Sequence, residues 1–345
     1  MGLPFRDIVH PEELPWERLS GLTLAVDGYN AIYQFLATIR QRDGRPMSDA
    51  QGQTTSHLMG VLYRTTALLG QGVLPVWVFD GKPPELKAGT LRSRFLAKER
   101  AEAQWKEALA AGDLETARSK AAQTSRLTRP MVEEAKRLLA GLGVPSVQAP
   151  SEGEAQAAFM AARGQVWAAA SEDYDSLLFG APRLVRGLAA RARAGTAASA
   201  QVIDRAELLT TLGISDEELL LVALLVGTDF NDGAKGYGPK RALKLAQQHL
   251  GWEATLKTAG IDPTEVEPVA EIFRHPATEE TALPSFGPVD EDGVVRLLVD
   301  GHGFSLDRVR AAIARARRRP VPEGPTEVTR GHQTLLDTFG GGETG

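Results

Sequence analysis

Three runs of apolar residues along the chain each end abruptly in acid. Leu22-Thr23-Leu24-Ala25-Val26 meets Asp27, Val73-Leu74-Pro75-Val76-Trp77-Val78-Phe79 meets Asp80, and Val166-Trp167-Ala168-Ala169-Ala170 meets Ser171-Glu172-Asp173. Between and after them, apolar positions at helical spacing predict helices over Ile32–Ile39, His57–Leu69, Arg92–Ala110, Met131–Leu139 and Glu154–Ala162. Short buried strands alternating with helices predict an α/β fold, with a mostly parallel central sheet covered by helices on both faces. Val144–Val147 reads as a further strand, with Leu184-Val185 and Val202-Ile203 as added edge strands.

From Ile214 the pattern turns helical. Ser215 caps a helix over Asp216–Val226, a Gly-rich loop follows, and a second helix is expected over Lys240–Leu250. Residues 251–290 are weakly patterned and rich in Pro and Glu, whereas Val294–Leu298 and Leu306–Ala316 read as closing helices. Beyond Arg319 the Pro/Gly/Thr-rich composition predicts a flexible linker and tail.

Composition narrows the chemistry. The 345 residues allow two domains or one elaborated α/β domain. No cysteine is present, which excludes thiol nucleophiles, disulfides and Cys-ligated zinc, and the 6 His lack a paired spacing. No apolar run reaches the ~18 residues of a membrane span, and the N-terminus lacks a signal-peptide core, so an intracellular protein is expected. The net charge of −5 argues against nucleic acid, but Lys82–Arg137 holds 13 Lys+Arg against 8 Asp+Glu. That asymmetry suits either a solvated helix or a phosphate-binding surface.

Ligands of an open parallel sheet sit beyond the carboxyl ends of its strands. Asp27, Asp80, Asp173 and Asp175 fall at such ends, Glu152 and Glu154 follow the Val144–Val147 strand, and Asp229 follows the Asp216–Val226 helix. Each has a structural explanation of its own: Ser151-x-x-Glu154 fits a capping box, and Asp80-Gly81 and Asp175-Ser176 fit turns. Together they do not. Two carboxylates about 4 Å apart repel by roughly 4 kcal/mol at an effective dielectric near 20, so a shared rim requires a cation. All-oxygen ligation suits Mg²⁺, with Mn²⁺ a substitute, and so many acids fit two ions about 3.5–4 Å apart clamping an in-line phosphoryl displacement.

The motifs carrying these acids resemble the flap endonucleases, most closely archaeal ones. They are Asp27-Gly28, Val78-Phe79-Asp80-Gly81-Lys82-Pro83-Pro84, Ala149-Pro150-Ser151-Glu152-Gly153-Glu154-Ala155, Ser171-Glu172-Asp173-Tyr174-Asp175-Ser176-Leu177-Leu178-Phe179-Gly180, Gly227-Thr228-Asp229-Phe230-Asn231 and Gly236-Tyr237-Gly238-Pro239-Lys240-Arg241-Ala242. The match is collinear over 1–318. It implies a PIN-like, resolvase-like nuclease core, an arch over about 82–130, an internal part over about 140–225 and a helix-hairpin-helix-type DNA grip over about 226–250. It further implies two divalent metals held by Asp27, Asp80, Glu152, Glu154, Asp173, Asp175 and Asp229. The implied activity is 5′ flap endonuclease with 5′–3′ exonuclease, in Okazaki-fragment maturation and repair. Glu172 stands where the family usually has Gln, and Pro276–Gly287 matches poorly.

The resemblance also assigns contacts. Lys87 and Arg94, two helical turns apart and so on one face, match residues that approach the scissile phosphate from the arch base. Tyr33 matches a tyrosine that stacks on a base, and the helical pattern leaves it half exposed beside the apolar stripe. Arg40 and Thr55 match the pocket for a one-nucleotide 3′ flap. Gly236, Gly238 and Lys240 open a helix whose amides suit phosphate, in a loop that also holds K⁺ in the family. In the tail, Gln333, Leu336 and Phe339 resemble the peptide by which replication proteins bind the sliding clamp, although Gly340 replaces the second aromatic. A monomer acting on 5′ flap junctions is the expectation, in the cytoplasm or on the nucleoid of a prokaryote, or in the nucleus of a eukaryote. The rivals are a related 5′ exonuclease or junction resolvase and, from another class, a non-catalytic DNA-junction binding protein.

Overall fold

The computed structural model describes residues 3–188, 199–282 and 285–319. Seven strands form one sheet: β1 (Glu12–Pro15), β2 (Thr23–Asp27), β3 (Leu74–Phe79), β4 (Ser146–Gln148), β5 (Ala168–Ala170), β6 (Arg183–Arg186) and β7 (Ser199–Asp204). Their order is β1-β7-β6-β5-β2-β3-β4. From β6 to β4 every pairing is parallel, and β7 and β1 are added antiparallel. The chain builds outward from β2 to β3 and β4, then crosses back to lay β5 on the other side of β2. Strand order therefore reverses beside β2, which opens a crevice at the carboxyl ends of β2 and β5.

The helices are α1 (Gly28–Thr38), α2 (Ser56–Gly70), α3 (Ala88–Ala110), α4 (Leu114–Ala122), α5 (Arg129–Gly141), α6 (Gly153–Ala162) and α7 (Asp175–Leu178). After β7 come α8 (Arg205–Leu212), α9 (Asp216–Val226), α10 (Pro239–Ala246), α11 (Trp252–Thr258), α12 (Pro263–Arg274), α13 (Glu291–Val295) and α14 (Leu306–Ala316). Strand alternation divides the core. Leu24, Val26, Trp77 and Phe79 pack with Ile32, Phe35, Leu58 and Leu62 of α1 and α2, whereas Ala25, Val76, Val78 and Ala169 pack with Ala157, Ala158 and Ala161 of α6. Both faces are dry, which is why these strands read as unbroken apolar runs. A further core joins Leu184 and Ile203 to the α8–α12 helices.

The predicted boundaries fail in four places. The edge strands are β1 and β4, so β6 and β7, which hold Leu184-Val185 and Val202-Ile203, both lie inside the sheet. The Lys240–Leu250 helix stops at Ala246, because His249 turns left-handed (φ 53°) with its ring 2.6 Å from Glu218. The weakly patterned 251–290 stretch holds α11 and α12. Pro263 there is a helix opener beneath the Asp262 cap, and Pro268 sits within α12. The Val294–Leu298 helix is α13 running into a π-helical turn, Arg296–Asp300.

The basic segment forms α3 and α4, which pack as a helical hairpin. Buried Ala101 and Ala108 of α3 and Ala117 and Ala121 of α4 let the two helices pack. Trp105 Nε1 and Arg118 Nε donate to the carbonyls of Asp43 and Arg42 at 3.3 and 2.6 Å, tying the hairpin to the loop between α1 and α2. Among the described residues no helix is long and apolar enough to cross a membrane.

Candidate active site

The strand ends deliver the acids. Asp27 closes β2 and caps α1, accepting the Asn30 amide at 3.0 Å. Asp80 leaves β3 and accepts the Gly153 amide at 2.9 Å, which fixes the start of α6. Glu152 and Glu154 flank that start. The capping box does not form: Glu152 is the N-cap, Ser151 donates instead to the Lys82 carbonyl at 3.0 Å, and Glu154 bonds Ser171. The helix amides already have Asp80, so Glu154 is left to the rim. Beyond β5, Asp173 accepts from Asn30 Nδ2 at 2.8 Å and Asp175 accepts the Leu3 amide at 3.2 Å. Glu172 turns aside, accepting the Gly187 amide at 2.8 Å, so the extra charge stays off the rim.

Burial and mutual repulsion oppose ionisation here. Burial, then Asp80 and Asp173, raise the Asp27 carboxyl far above its usual range. Burial, then Asp175, Asp27 and Asp173, do the same to Glu154. Asp80 is pushed up to about 6 by burial and Glu152, and Asp175 to about 7 by burial, Asp173 and Asp229. Among the described residues no three His, Asp or Glu side chains close on one centre. The rim is a spread of oxygen donors without His or Cys, each pair destabilised by the other's charge. That donor chemistry fits hard divalent cations, which would draw the acids together.

Two cations of the Lys87-to-α3 segment meet the rim. Lys87 Nζ bonds Glu152 and lies 3.6 Å from Asp229, while Arg94 bonds the other oxygen of Asp229. Burial alone would lower the Lys87 ammonium, but Glu152 and Asp229 outweigh it and hold its pKa above the ordinary value. Both side chains project from one face of the Lys87-to-α3 segment, as their spacing predicts.

Residues 6–101 match the XPG N-terminal domain and 143–229 the XPG I-region, so both matched stretches together contain all seven acids, and the first holds Lys87 and Arg94 as well. Flap endonuclease 1 of Aeropyrum pernix is 44% identical over 99% of this chain and 100% of its own. The chain belongs to the flap endonuclease family. The solved flap endonuclease-1 from Methanococcus jannaschii is 40% identical, covers 91% of this chain and 98% of its own, and superposes with a TM-score of 0.72. The catalytic core of Rad2 in complex with DNA substrate, at 23% identity, shares the fold with a TM-score of 0.70 over 92% of this chain and all of its own. As a flap endonuclease, the protein is a structure-specific hydrolase of phosphodiester bonds.

The remaining candidate residues lie on α1, in the loop between α1 and α2, at the start of α2 and at the start of α10. Tyr33 is half-buried beneath Lys98, whose Nζ is 4.5 Å from the ring centre. Arg40 donates to Leu36, Gly44 and Ser125 at 2.8, 2.8 and 3.0 Å, bracing the α1–α2 loop against the end of α4. Thr55 is buried at the start of α2, its amide donating to the Met47 carbonyl at 2.7 Å, so it is part of the wall of that loop rather than its surface. Gly236 takes a left-handed φ of 82°, and Gly238 caps α10, placing Lys240 in its first turn. Gln333, Leu336 and Phe339 lie outside the described residues.

Three supports escaped the sequence reading. Asn30 and Gln34 form a relay to Asp173, with Gln34 Nε2 donating to Asn30 Oδ1 at 3.0 Å. Their i,i+4 spacing one turn after Asp27 is a usable signal. Ser171 stands among the acids, and Gln156 and Gln165 hold the poorly matched segment. Gln156 is fully buried and bonds both the carbonyl and amide of Glu279 at 2.8 and 2.9 Å, and Gln165 reaches the Thr281 carbonyl at 2.9 Å. No pattern in the sequence marks such contacts.

Proposed function

We propose that the seven carboxylates, Asp27, Asp80, Glu152, Glu154, Asp173, Asp175 and Asp229, hold two divalent cations, Mg²⁺ in the cell with Mn²⁺ able to replace it. Bound there, such ions polarise the scissile phosphodiester and the attacking water. The chain's own part is orientation and charge. Lys87 and Arg94 exchange a carboxylate for a phosphate oxygen when DNA enters, and stabilise the charge that develops on it. Tyr33 stacks on the base nearest the cut, Arg40 and Thr55 shape the pocket for a 3′ nucleotide, and Gly236, Gly238 and Lys240 grip the duplex, with K⁺ at that loop. The substrate is DNA with a 5′ single-stranded flap, met in Okazaki-fragment maturation and repair in the cytoplasm or on the nucleoid, by a monomer. The peptide Gln333–Phe339 tethers it to the sliding clamp.

One observation supports this reading above the rest: acids from β2, β3, α6, the β5 exit and the α9 exit share one rim, and two arch cations end on it. End-labelled double-flap DNA with Mg²⁺ should be cut near the junction, and EDTA should stop the reaction. Asp175→Ala should abolish cutting while junction binding in EDTA persists; turnover equal to the parent would remove the metal assignment. Gapped and four-way substrates separate the exonuclease and resolvase readings, and any metal-dependent cutting excludes a silent binding protein.

A further inference from the structure

One hydroxyl links three of the acids, the carboxylates of two on other elements and the backbone of a third on its own loop. Ser171 is buried at the exit of β5, its Oγ 2.8 Å from Glu154 Oε1 on α6 and 3.4 Å from Asp27 Oδ2 on β2. The same oxygen accepts the Asp173 amide at 3.2 Å. A serine hydroxyl has one proton and two lone pairs. The Asp173 amide takes a lone pair, so the proton serves one carboxylate at a time, and distance gives it to Glu154. Lys87 and Arg94 engage Glu152 and Asp229, and the Asn30 amide takes the other oxygen of Asp27, so the hydroxyl is the donor that Asp27 and Glu154 have in common.

Resting on the reading of the rim as a metal site, we propose that Ser171 is a positioning residue for its cations. The hydroxyl turns its proton to whichever of Glu154 and Asp27 has an oxygen facing away from an ion, and its lone pair fixes the Asp173 backbone. Two acids and the loop bearing a third are thereby held in orientations that meet a cation together. Carboxylates that carry metals are commonly set by such outer hydrogen bonds. A serine that only filled the end of β5 would be replaced by alanine without effect on the metal.

The test uses the full chain with Ser171→Ala, Ser171→Thr and Asp175→Ala. Mn²⁺ binding without DNA is followed by electron paramagnetic resonance of the free ion, and the Mg²⁺ concentration for half-maximal single-turnover flap cleavage is measured beside it. Ser171→Ala should weaken both by about tenfold or more, the scale of a lost outer hydrogen bond, with melting close to the parent. Ser171→Thr keeps the hydroxyl and should restore both. A shift below about tenfold in Ser171→Ala overturns the role. If alanine leaves the chain unfolded, near-isosteric Ser171→Cys, a weak donor, carries the same test. Asp175→Ala separates the two readings. Loss of Mn²⁺ there with normal binding in Ser171→Ala removes only the role of Ser171, whereas parental binding in Asp175→Ala removes the metal site itself.

Discussion

Asp175 is held up to about 7 by burial, Asp173 and Asp229, against 3.8 for a free carboxyl. Between those values the native state keeps a proton that the unfolded chain has lost, so its contribution to stability falls as pH rises through the folded pKa. Asp80, at about 6, acts in the same direction over a narrower window. His57 opposes them, since burial pushes its imidazole down and the fold then favours the neutral ring. A difference measurement cancels that term. In EDTA, Asp175→Asn should be more stable than the parent, by a margin that grows between about pH 5 and 7.5, as urea denaturation would register. A margin that shrinks with rising pH contradicts the assignment. Lys87 and Arg94 enter the proposed site for the opposite reason, as cations that would meet phosphate. Lys87→Ala and Arg94→Ala should each slow single-turnover cleavage by about 10²–10³-fold, the range for a lost transition-state donor. Rates near the parent's would leave them as partners of Glu152 and Asp229 only.

Between elements, the decisive contact is where the exits of β3 and β4 cross. A Cβ on Gly81 would lie 2.3 Å from the Ala149 carbonyl oxygen and 2.4 Å from that of Pro150, and the Gly81 amide donates to Ser151 at 2.6 Å. Asp80 and Glu152 stand on either side of this crossing. Gly81→Ala should therefore cost about 1–3 kcal/mol in urea denaturation and cut activity beyond the stability loss, because the two acids move apart. An unchanged midpoint would mean that the exits can separate without harm. This scale also shows what the sequence could tell. Strands buried on both faces advertise themselves as apolar runs, so β2, β3 and β5 and the acids at their ends were legible. Ser215 and Glu218 form the capping box that fixes α9 at its predicted bounds. Ser151 and Glu154 have the same spacing and do not, since Asp80 reaches the α6 amides from a distant strand. Local patterns cannot record a competitor so far away in sequence. The strand β1, Glu12–Pro15, has a single buried side chain and pairs with residues near 200, so neither period nor composition marks it.

For the whole molecule, charge is divided by place. Lys82–Arg137 carries 13 cations against 8 anions while the chain totals −5, so attraction for a polyanion is concentrated on the α3–α4 segment rather than spread over the surface. The proposed grip on α10 would be coupled to chemistry by packing. Ala242, Leu245 and Ala246 are buried in the same core as α9, and α9 ends two residues before Thr228-Asp229. A duplex held at Lys240, as proposed, would then lie at a set distance from Asp229, and the length between grip and rim would decide where the cut falls. A lysine on phosphate releases counterions without reading bases. Lys240→Ala should therefore weaken duplex binding equally for unrelated sequences and reduce the slope of log K against log salt by about one unit. Binding titrations at several salt concentrations check both. A slope as steep as the parent's would place the duplex on another surface, and the position of the cut would then have to be set by the arch alone.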